Sequence, residues 1–95
     1  MLSRIDIKIE KLGFKKLTGE DEEDKFGVSY RRKFSDQKYN QRVDILNMPN
    51  GKHMITSYEE RMNNEGLNNT IGITYAEAII FAKKLKEMKK KYKWE

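Results

Sequence analysis

The stretch IGITYAEAIIFAKKL at residues 71–85, continued by KEMKKKYKWE, decides the fold. Thr74 and Glu77 have the T-x-x-E spacing of a capping box. In this motif the Thr hydroxyl accepts a first-turn N–H, and the Glu carboxylate accepts the N–H of the cap residue. Strong helix formers then dominate the sequence. We therefore predict a helix from about Tyr75 to about Lys93.

The spacing of apolar residues predicts which side of this helix faces the core. One stripe recurs at steps of three and four, and it comprises Ala78, Phe81, Ala82, Leu85, Met88 and Tyr92. Ile79 and Ile80 widen the stripe, which predicts deeper burial of the N-terminal half. The opposite, solvent-facing side is expected to carry Lys83, Lys84, Lys86, Lys90, Lys91 and Lys93.

The same stripe has a second interpretation. Phe81, Leu85, Met88 and Tyr92 could form a self-pairing seam, which would make the protein a homodimer. The seam covers fewer than two heptads, so core packing is favoured over self-association.

Composition predicts one small folded domain covering residues 1–95. Hydrophobic and charged residues each make up 37% of the chain, but the apolar ones fall in periodic runs. The chain contains no cysteine, which fits a reducing compartment. Neither an apolar signal segment nor a run of roughly 20 apolar residues is present, so a cytoplasmic location without membrane contact is expected.

The net charge of +5 is concentrated in the C-terminal helix. Residues 75–95 contain seven lysines against three glutamates, which gives +4, and the rest of the chain contributes +1. A long solvated helix face in a lysine-rich protein has this pattern.

The N-terminal segment has helix signals at both ends. Ser3 and Asp6 have the spacing of a capping box, and Gly13 is placed to end the helix. The residues Leu2, Ile5, Ile9 and Leu12 would share its apolar face. Alternation of Ile5, Ile7 and Ile9 with charged residues is typical of a strand instead. We favour the helix because the start and stop signals coincide.

Alternating patterns predict the strands. A short strand is expected at residues 14–18, followed by an acidic turn at 19–25, a strand at 26–34 and another at 39–47. In the 26–34 strand one face would carry Phe26, Val28, Tyr30, Arg32 and Phe34, with the aromatic rings in the core. Residues 61–70 have no period and are predicted to form a polar loop.

Met48-Pro49-Asn50-Gly51-Lys52 is the strongest hairpin signal, with Gly51 expected at positive φ. A three-residue loop sets the register, which pairs Ile45 with Ile55, Leu46 with Met54 and Arg42 with Tyr58. The predicted fold is α+β. It comprises an antiparallel three- or four-stranded sheet, a short N-terminal helix and a long C-terminal helix packed on one face.

The segments IEKLGFKK at residues 9–16 and ITYAE at residues 73–77, with aromatic-rich strands between them, form a recognisable layout. This layout resembles small, mostly uncharacterised proteins of phages and prophages of Gram-positive bacteria. The resemblance implies an accessory viral or host-interaction role and carries over no functional residues.

Two groups of polar residues are candidates for a metal or catalytic site. His53 is the only histidine, and no cysteine or second histidine is available to share a metal with it. The acids at residues 20–24 lack the alternating ligands and the glycine of a cation loop, so a solvated turn is predicted. We expect no metal site and no cofactor.

No nucleophile motif, P-loop, dinucleotide fingerprint or zinc spacing is present, so we expect a non-catalytic protein. The leading hypothesis is binding to a host or phage protein through Leu46, Met54, Tyr58 and Trp94. The exposure of Trp94 is expected because it lies near the end of the helix. The alternative is a basic nucleic-acid-binding module that uses Lys83, Lys86, Lys90, Lys93, Arg31 and Lys33.

Overall fold

A computed structural model of the chain describes residues 2–19, 22–34, 39–61 and 69–95, with Arg61 described in its backbone only. The elements in chain order are α1 (Arg4–Lys11), β1 (Lys15–Lys16), β2 (Gly27–Lys33), β3 (Tyr39–Asn47), β4 (His53–Arg61) and α2 (Tyr75–Lys91). The four strands form one antiparallel sheet in the order β1-β2-β3-β4. The predicted α+β layout is confirmed.

The N-terminal segment is a helix, so the alternative strand interpretation is wrong. Ser3 Oγ accepts from the backbone N–H of Asp6 at 3.1 Å, and the Asp6 carboxylate accepts from the N–H of Ser3 at 3.1 Å. The capping box is therefore complete. Gly13 follows the helix with φ of +100°, a left-handed conformation that glycine adopts without steric cost.

The β3–β4 hairpin has the predicted register. Ile45 pairs with Ile55, Leu46 with Met54 and Arg42 with Tyr58. Met48 N–H donates to the carbonyl of Lys52 at 2.9 Å, and Gly51 has φ of +78°. The three-residue loop therefore fixes the pairing of nine residues on each strand.

Both helices pack on one face of the sheet, where they enclose the core. The buried apolar residues are Ile9, Phe14, Val28, Tyr30, Val43, Ile45, Phe81, Met88 and Trp94. Phe26 was expected among them, but its side chain is 64% exposed. The backbone turns at Asp24–Gly27 before β2 begins, so the strand alternation does not extend back to Phe26.

The C-terminal helix also begins with a complete capping box, formed by Thr74 and Glu77. Its buried side, however, comprises Glu77, Phe81, Lys84 and Met88, which differs from the predicted stripe. Lys84 was expected in solvent but is 1% exposed, and Ile79 was expected in the core but is 39% exposed. Lys84 can face the core because its ammonium group pairs with three carboxylates, two of them from other elements.

The self-pairing seam is contradicted for two of its four residues, Phe81 and Met88. Phe81 and Met88 have no exposed surface, because they pack against the sheet and α1 within the same chain. The rings of Phe81 and Phe14 meet in a T-shaped contact, with centroids 5.2 Å apart. These side chains are therefore not available to a second copy.

Replacing Gly51 with Ala tests the hairpin loop. A Cβ at Gly51 would meet no atom within 4 Å, so the substitution reports only the cost of positive φ. We expect unfolding free energy to fall by about 1 kcal/mol. Gly72→Ala is the matched control, because Gly72 is equally open and lacks positive φ; it should be neutral or stabilising. Equal urea midpoints for the two variants would contradict the loop geometry.

Candidate functional site

The sheet surface opposite the helices, here called the open face, is the first candidate site. Strand alternation directs Val28, Tyr30, Val43 and Ile45 into the core, so their neighbours point to the other side. The central residues of the open face are Ser29, Arg31, Arg42, Asp44, Leu46, Met54, Tyr58 and Glu60. Neither helix covers them.

Arg42 is at the centre of a hydrogen-bonded network on the open face. Its guanidinium donates to Asp44 Oδ1 at 2.9 Å, to Glu60 Oε2 at 3.0 Å and to Ser29 Oγ at 3.1 Å. Tyr58 Oη donates to the second oxygen of Asp44 at 2.8 Å. Three strands are therefore tied together through one side chain.

Arg31 closes this network from β2. Its guanidinium makes a bidentate contact with Glu60, at 2.5 and 3.0 Å. The hydrogen bond from Arg31 lowers the pKa of Glu60, and the hydrogen bond from Arg42 lowers it further. Burial of the carboxylate raises the pKa but does not outweigh these two contacts. Burial, followed by the hydrogen bond to Asp44, raises the pKa of Tyr58 above its usual value. Tyr58 thus remains protonated, and both arginines have fixed orientations.

The apolar part of the open face lies toward the hairpin. Leu46 and Met54 pair directly across β3 and β4, and Met54 is 44% exposed. Gly27 of β2 pairs with Leu46 of β3 and has no side chain that could cover it. Exposed Phe26 is at the same end, since its carbonyl accepts from Asn47 N–H at 2.9 Å. Sequence reasoning missed Phe26 because it assigned the ring to the core.

The structure brings together three of the four predicted partner-binding residues. Leu46, Met54 and Tyr58 share the open face. The expected exposure of Trp94 is wrong, because its side chain is 7% exposed on the helix side of the sheet. The Trp94 indole N–H donates to the carbonyl of Lys25 at 2.8 Å, and the ring stacks on His53 with centroids 5.2 Å apart. Trp94 therefore closes the end of the core.

The predicted nucleic-acid residues fall on two surfaces. Lys83, Lys86, Lys90 and Lys93 are exposed on or just after α2, as expected. Arg31 and Lys33 lie on the opposite side of the molecule, where strand alternation directs them to the open face. Arg31 is also engaged by Glu60. The six residues therefore do not form one continuous interface.

The helix surfaces carry a strong excess of basic charge. On or just after the two helices, the exposed basic residues that make no ion pair with a described residue are Arg4, Lys8, Lys11, Lys83, Lys86, Lys89, Lys90 and Lys93. Most helix acids face inward, since Asp6 and Glu77 are buried and Glu87 binds Lys84. The helices thus expose their bases and bury or pair most of their acids.

A buried charged cluster joins the helices to the sheet. The Lys84 ammonium lies 3.1 Å from Asp6, 2.7 Å from Glu23 and 2.6 Å from Glu87. Lys16 of β1 contacts Asp6 at 2.9 Å and Glu23 at 2.8 Å. Opposite charges on every side offset much of the desolvation cost of these groups.

Hydrogen bonds from the core complete this cluster. Tyr30 Oη donates to Asp6 Oδ1 at 2.5 Å, and Tyr92 Oη donates to Glu23 Oε2 at 2.7 Å. Burial raises the pKa of Asp6, but hydrogen bonds from Tyr30, Lys16, Ser3 and Lys84 outweigh it and hold the pKa at about 2. Burial also raises the pKa of Glu23, but hydrogen bonds from Lys16, Lys84, Lys91 and Tyr92 outweigh it and leave the pKa well below its usual range.

The cluster has the perturbed carboxylates that often mark active sites, but its geometry is structural. The side chains of Asp6 and Lys84 are each 1% exposed, so neither reaches a substrate in this conformation. Burial lowers the pKa of Lys84, yet its three carboxylate partners raise it above the usual value. The three carboxylates thereby favour the cationic form of Lys84.

Sequence reasoning missed this cluster, although part of the signal was present. Lys84 lies three residues after Phe81 and four before Met88, a spacing that places it on the buried side. Glu23 was assigned to a solvated acidic turn, but its side chain is 5% exposed. Glu20 and Asp21 of that turn lie outside the described residues. Only the three-dimensional packing shows which acid meets which lysine.

His53 packs in the same region as Trp94. Neither of its buried ring nitrogens has a hydrogen-bond partner among the described residues. Within those residues no group of three or more His, Cys, Asp or Glu side chains is arranged to hold a metal ion. His53 therefore serves as a flat packing surface for the Trp94 indole.

In the part of the chain that the structure covers, neither helix combines the length and the apolar character needed to cross a membrane. Comparison of the chain with protein families, curated proteins and solved structures gave no match.

The charged cluster predicts acid sensitivity. Asp6 and Glu23 have lower pKa values when folded than when unfolded, so the unfolded chain binds more protons below about pH 4.5. Stability should therefore be fully present above that pH and fall as the pH drops toward 2. Asp6 alone should account for about 2 kcal/mol, from its shift between 3.8 and about 2.

Urea denaturation at several pH values would measure this effect. Asp6→Asn should flatten the dependence of unfolding free energy on pH in the acid range. Glu10→Gln is the matched control, because Glu10 is an exposed acid on the same helix. An Asp6→Asn slope as steep as that of the wild type would contradict the role of the cluster.

Proposed function

We propose that this protein is a non-catalytic binding module that recognises another protein through its open face. The observation that supports this proposal is the ordered array of Arg31, Arg42 and Tyr58 beside Leu46 and Met54 on a sheet surface that neither helix covers. Arginine, tyrosine and methionine are enriched at protein interfaces. Arginine and tyrosine also recur among the residues that dominate binding energy.

Fixed side chains favour binding at this surface. Two carboxylates and Ser29 hold Arg42, and Arg31 has a bidentate partner. These side chains have already lost much of their rotamer freedom, so less conformational entropy is lost on association. The bases Arg31, Arg42 and Lys33 outnumber the acids Asp44 and Glu60. The partner should therefore present an apolar patch flanked by carboxylates.

The proposed biological setting is an accessory role for a phage or prophage in the host cytoplasm. The layout resemblance described from the sequence supports this setting. A host protein or another phage protein is the proposed partner, and the activity is binding without a cofactor.

Paired substitutions at exposed apolar residues test the open face. Met54→Asp should weaken capture of the partner from host lysate by tenfold or more, because it places a charge in the apolar patch. Ile79→Asp is the matched control, since Ile79 has similar exposure but lies on α2. Captured proteins should be identified by mass spectrometry, and their affinities remeasured by calorimetry with purified components. Loss of capture by Ile79→Asp alone would contradict the proposal.

A second candidate function is nucleic-acid binding by the helix surfaces. The supporting observation is that eight exposed basic residues without ion pairs lie on or just after the two helices, whereas Glu10 is the one exposed acid on these helices. A surface of this kind attracts phosphates by counterion release. It lacks the stacked array of exposed aromatic rings that single-strand binders use, because Tyr75 is the one strongly exposed ring on α2. The open face therefore remains the leading site.

Salt-dependent binding separates the two candidates. We expect negligible binding of duplex DNA or single-stranded RNA at near-physiological salt, measured by fluorescence anisotropy. Submicromolar, salt-sensitive binding would contradict this expectation if it were lost on changing the helix lysines Lys83, Lys86, Lys90 and Lys93 to Gln. The matched control changes four exposed lysines outside the helices to Gln, and these are Lys15, Lys25, Lys33 and Lys52.

A further inference from the structure

A basic cleft lies at the β1 edge of the sheet, away from the Leu46 and Met54 patch. Its volume is about 520 Å³, and its lining includes Lys15, Lys16, Leu17, Thr18, Arg31 and Lys33. Four of these residues are cations, and no carboxylate lines the cleft. The cleft therefore favours an anionic ligand.

Two of the four cations already have partners. Lys16 contacts Asp6 and Glu23, and Arg31 contacts Glu60. Lys15 and Lys33 are exposed and make no ion pair with any residue that the structure describes. Lys15 of β1 pairs with Arg31, and Lys33 lies two residues after Arg31 on β2. The charges of these two lysines are therefore the ones available to a ligand.

The backbone at this edge can also bind. Leu17 N–H donates to the carbonyl of Ser29 at 2.9 Å, so Leu17 faces β2. Backbone groups of an antiparallel edge strand alternate in direction, so Lys16 presents its N–H and C=O away from the sheet. The β4 edge is different, because Asn69 and Ile71 hydrogen-bond to Glu59 and Ser57 there. No described residue pairs with the outer side of β1, so strand addition is possible there.

We propose that β1 binds an acidic polypeptide segment in an extended conformation, which pairs with the free strand edge and places its carboxylates against Lys15 and Lys33. A peptide supplies both the N–H and the C=O that the edge requires. A phosphodiester backbone has no N–H to donate to the strand carbonyl. A second copy of β1 would bring Lys15 and Lys16 against like charges, so these lysines oppose self-pairing while they attract an acidic strand.

The cleft shares Arg31 and Lys33 with the open face, but strand pairing at β1 is tested without the Leu46 and Met54 patch, so it can hold or fail separately from the proposed function. The probe is a short, fluorescently labelled peptide of alternating Glu and Val, measured by anisotropy at low salt with the full chain. The double variant Lys15→Glu with Lys33→Glu should weaken its binding by about tenfold, through loss and reversal of two charge contacts. Lys83→Glu with Lys86→Glu makes the same charge change on α2 and should alter affinity less than about twofold.

Three further measurements test strand pairing itself. The same peptide with N-methyl groups on alternate amides should bind at least about tenfold more weakly, because it cannot complete the ladder. Amide hydrogen exchange of Lys16 should slow when the unmethylated peptide binds. An oligothymidylate of equal charge should fail to displace the peptide. Equal binding of the N-methylated peptide, displacement by the oligothymidylate, or no peptide binding at all would overturn the proposal.

Discussion

The Lys84 ammonium, buried among three carboxylates, is the interaction on which the rest of the structure depends. Its partners come from α1, from the loop before β2 and from α2 itself, so one cation fixes the positions of separate elements. A buried ion pair of this kind does not by itself guarantee stability, because desolvation is costly. Removing the Lys84 ammonium would leave the buried carboxylates of Asp6 and Glu23 with one cation fewer beside them. The cluster therefore specifies how the helices dock.

The two faces of the sheet organise polar groups in the same way, although the helices cover only one of them. On the core side Arg32 hydrogen-bonds to Glu77, to the carbonyl of Leu12 and to Gln41, and its guanidinium lies over Phe14. It thereby ties the end of α1 to the start of α2. On the open face Arg42 links three strands with no helix above it. The first arginine completes a core, whereas the second orders side chains on a surface that neither helix covers.

Local signals predicted most of the fold. The capping boxes at Ser3 and Thr74 and the loop at Gly51 depend on residues close in sequence, and each was identified correctly. Leu46, Met54 and Tyr58 could be placed on one face because a hairpin register is fixed by its loop. Lys84 and Trp94 could not be placed in this way, because their burial depends on partners distant in sequence.

The packing of α1 against α2 has a consequence for synthesis. The side chains of Ser3 and Glu87, 84 residues apart, meet in the charged cluster. The hairpins form from neighbouring segments, but this contact requires closure of a loop of 84 residues. On the ribosome, α1 must therefore wait without its partner helix until α2 has been translated. We expect the nascent chain to expose Ile9 and Phe14 during that interval, which makes it a candidate client for chaperones.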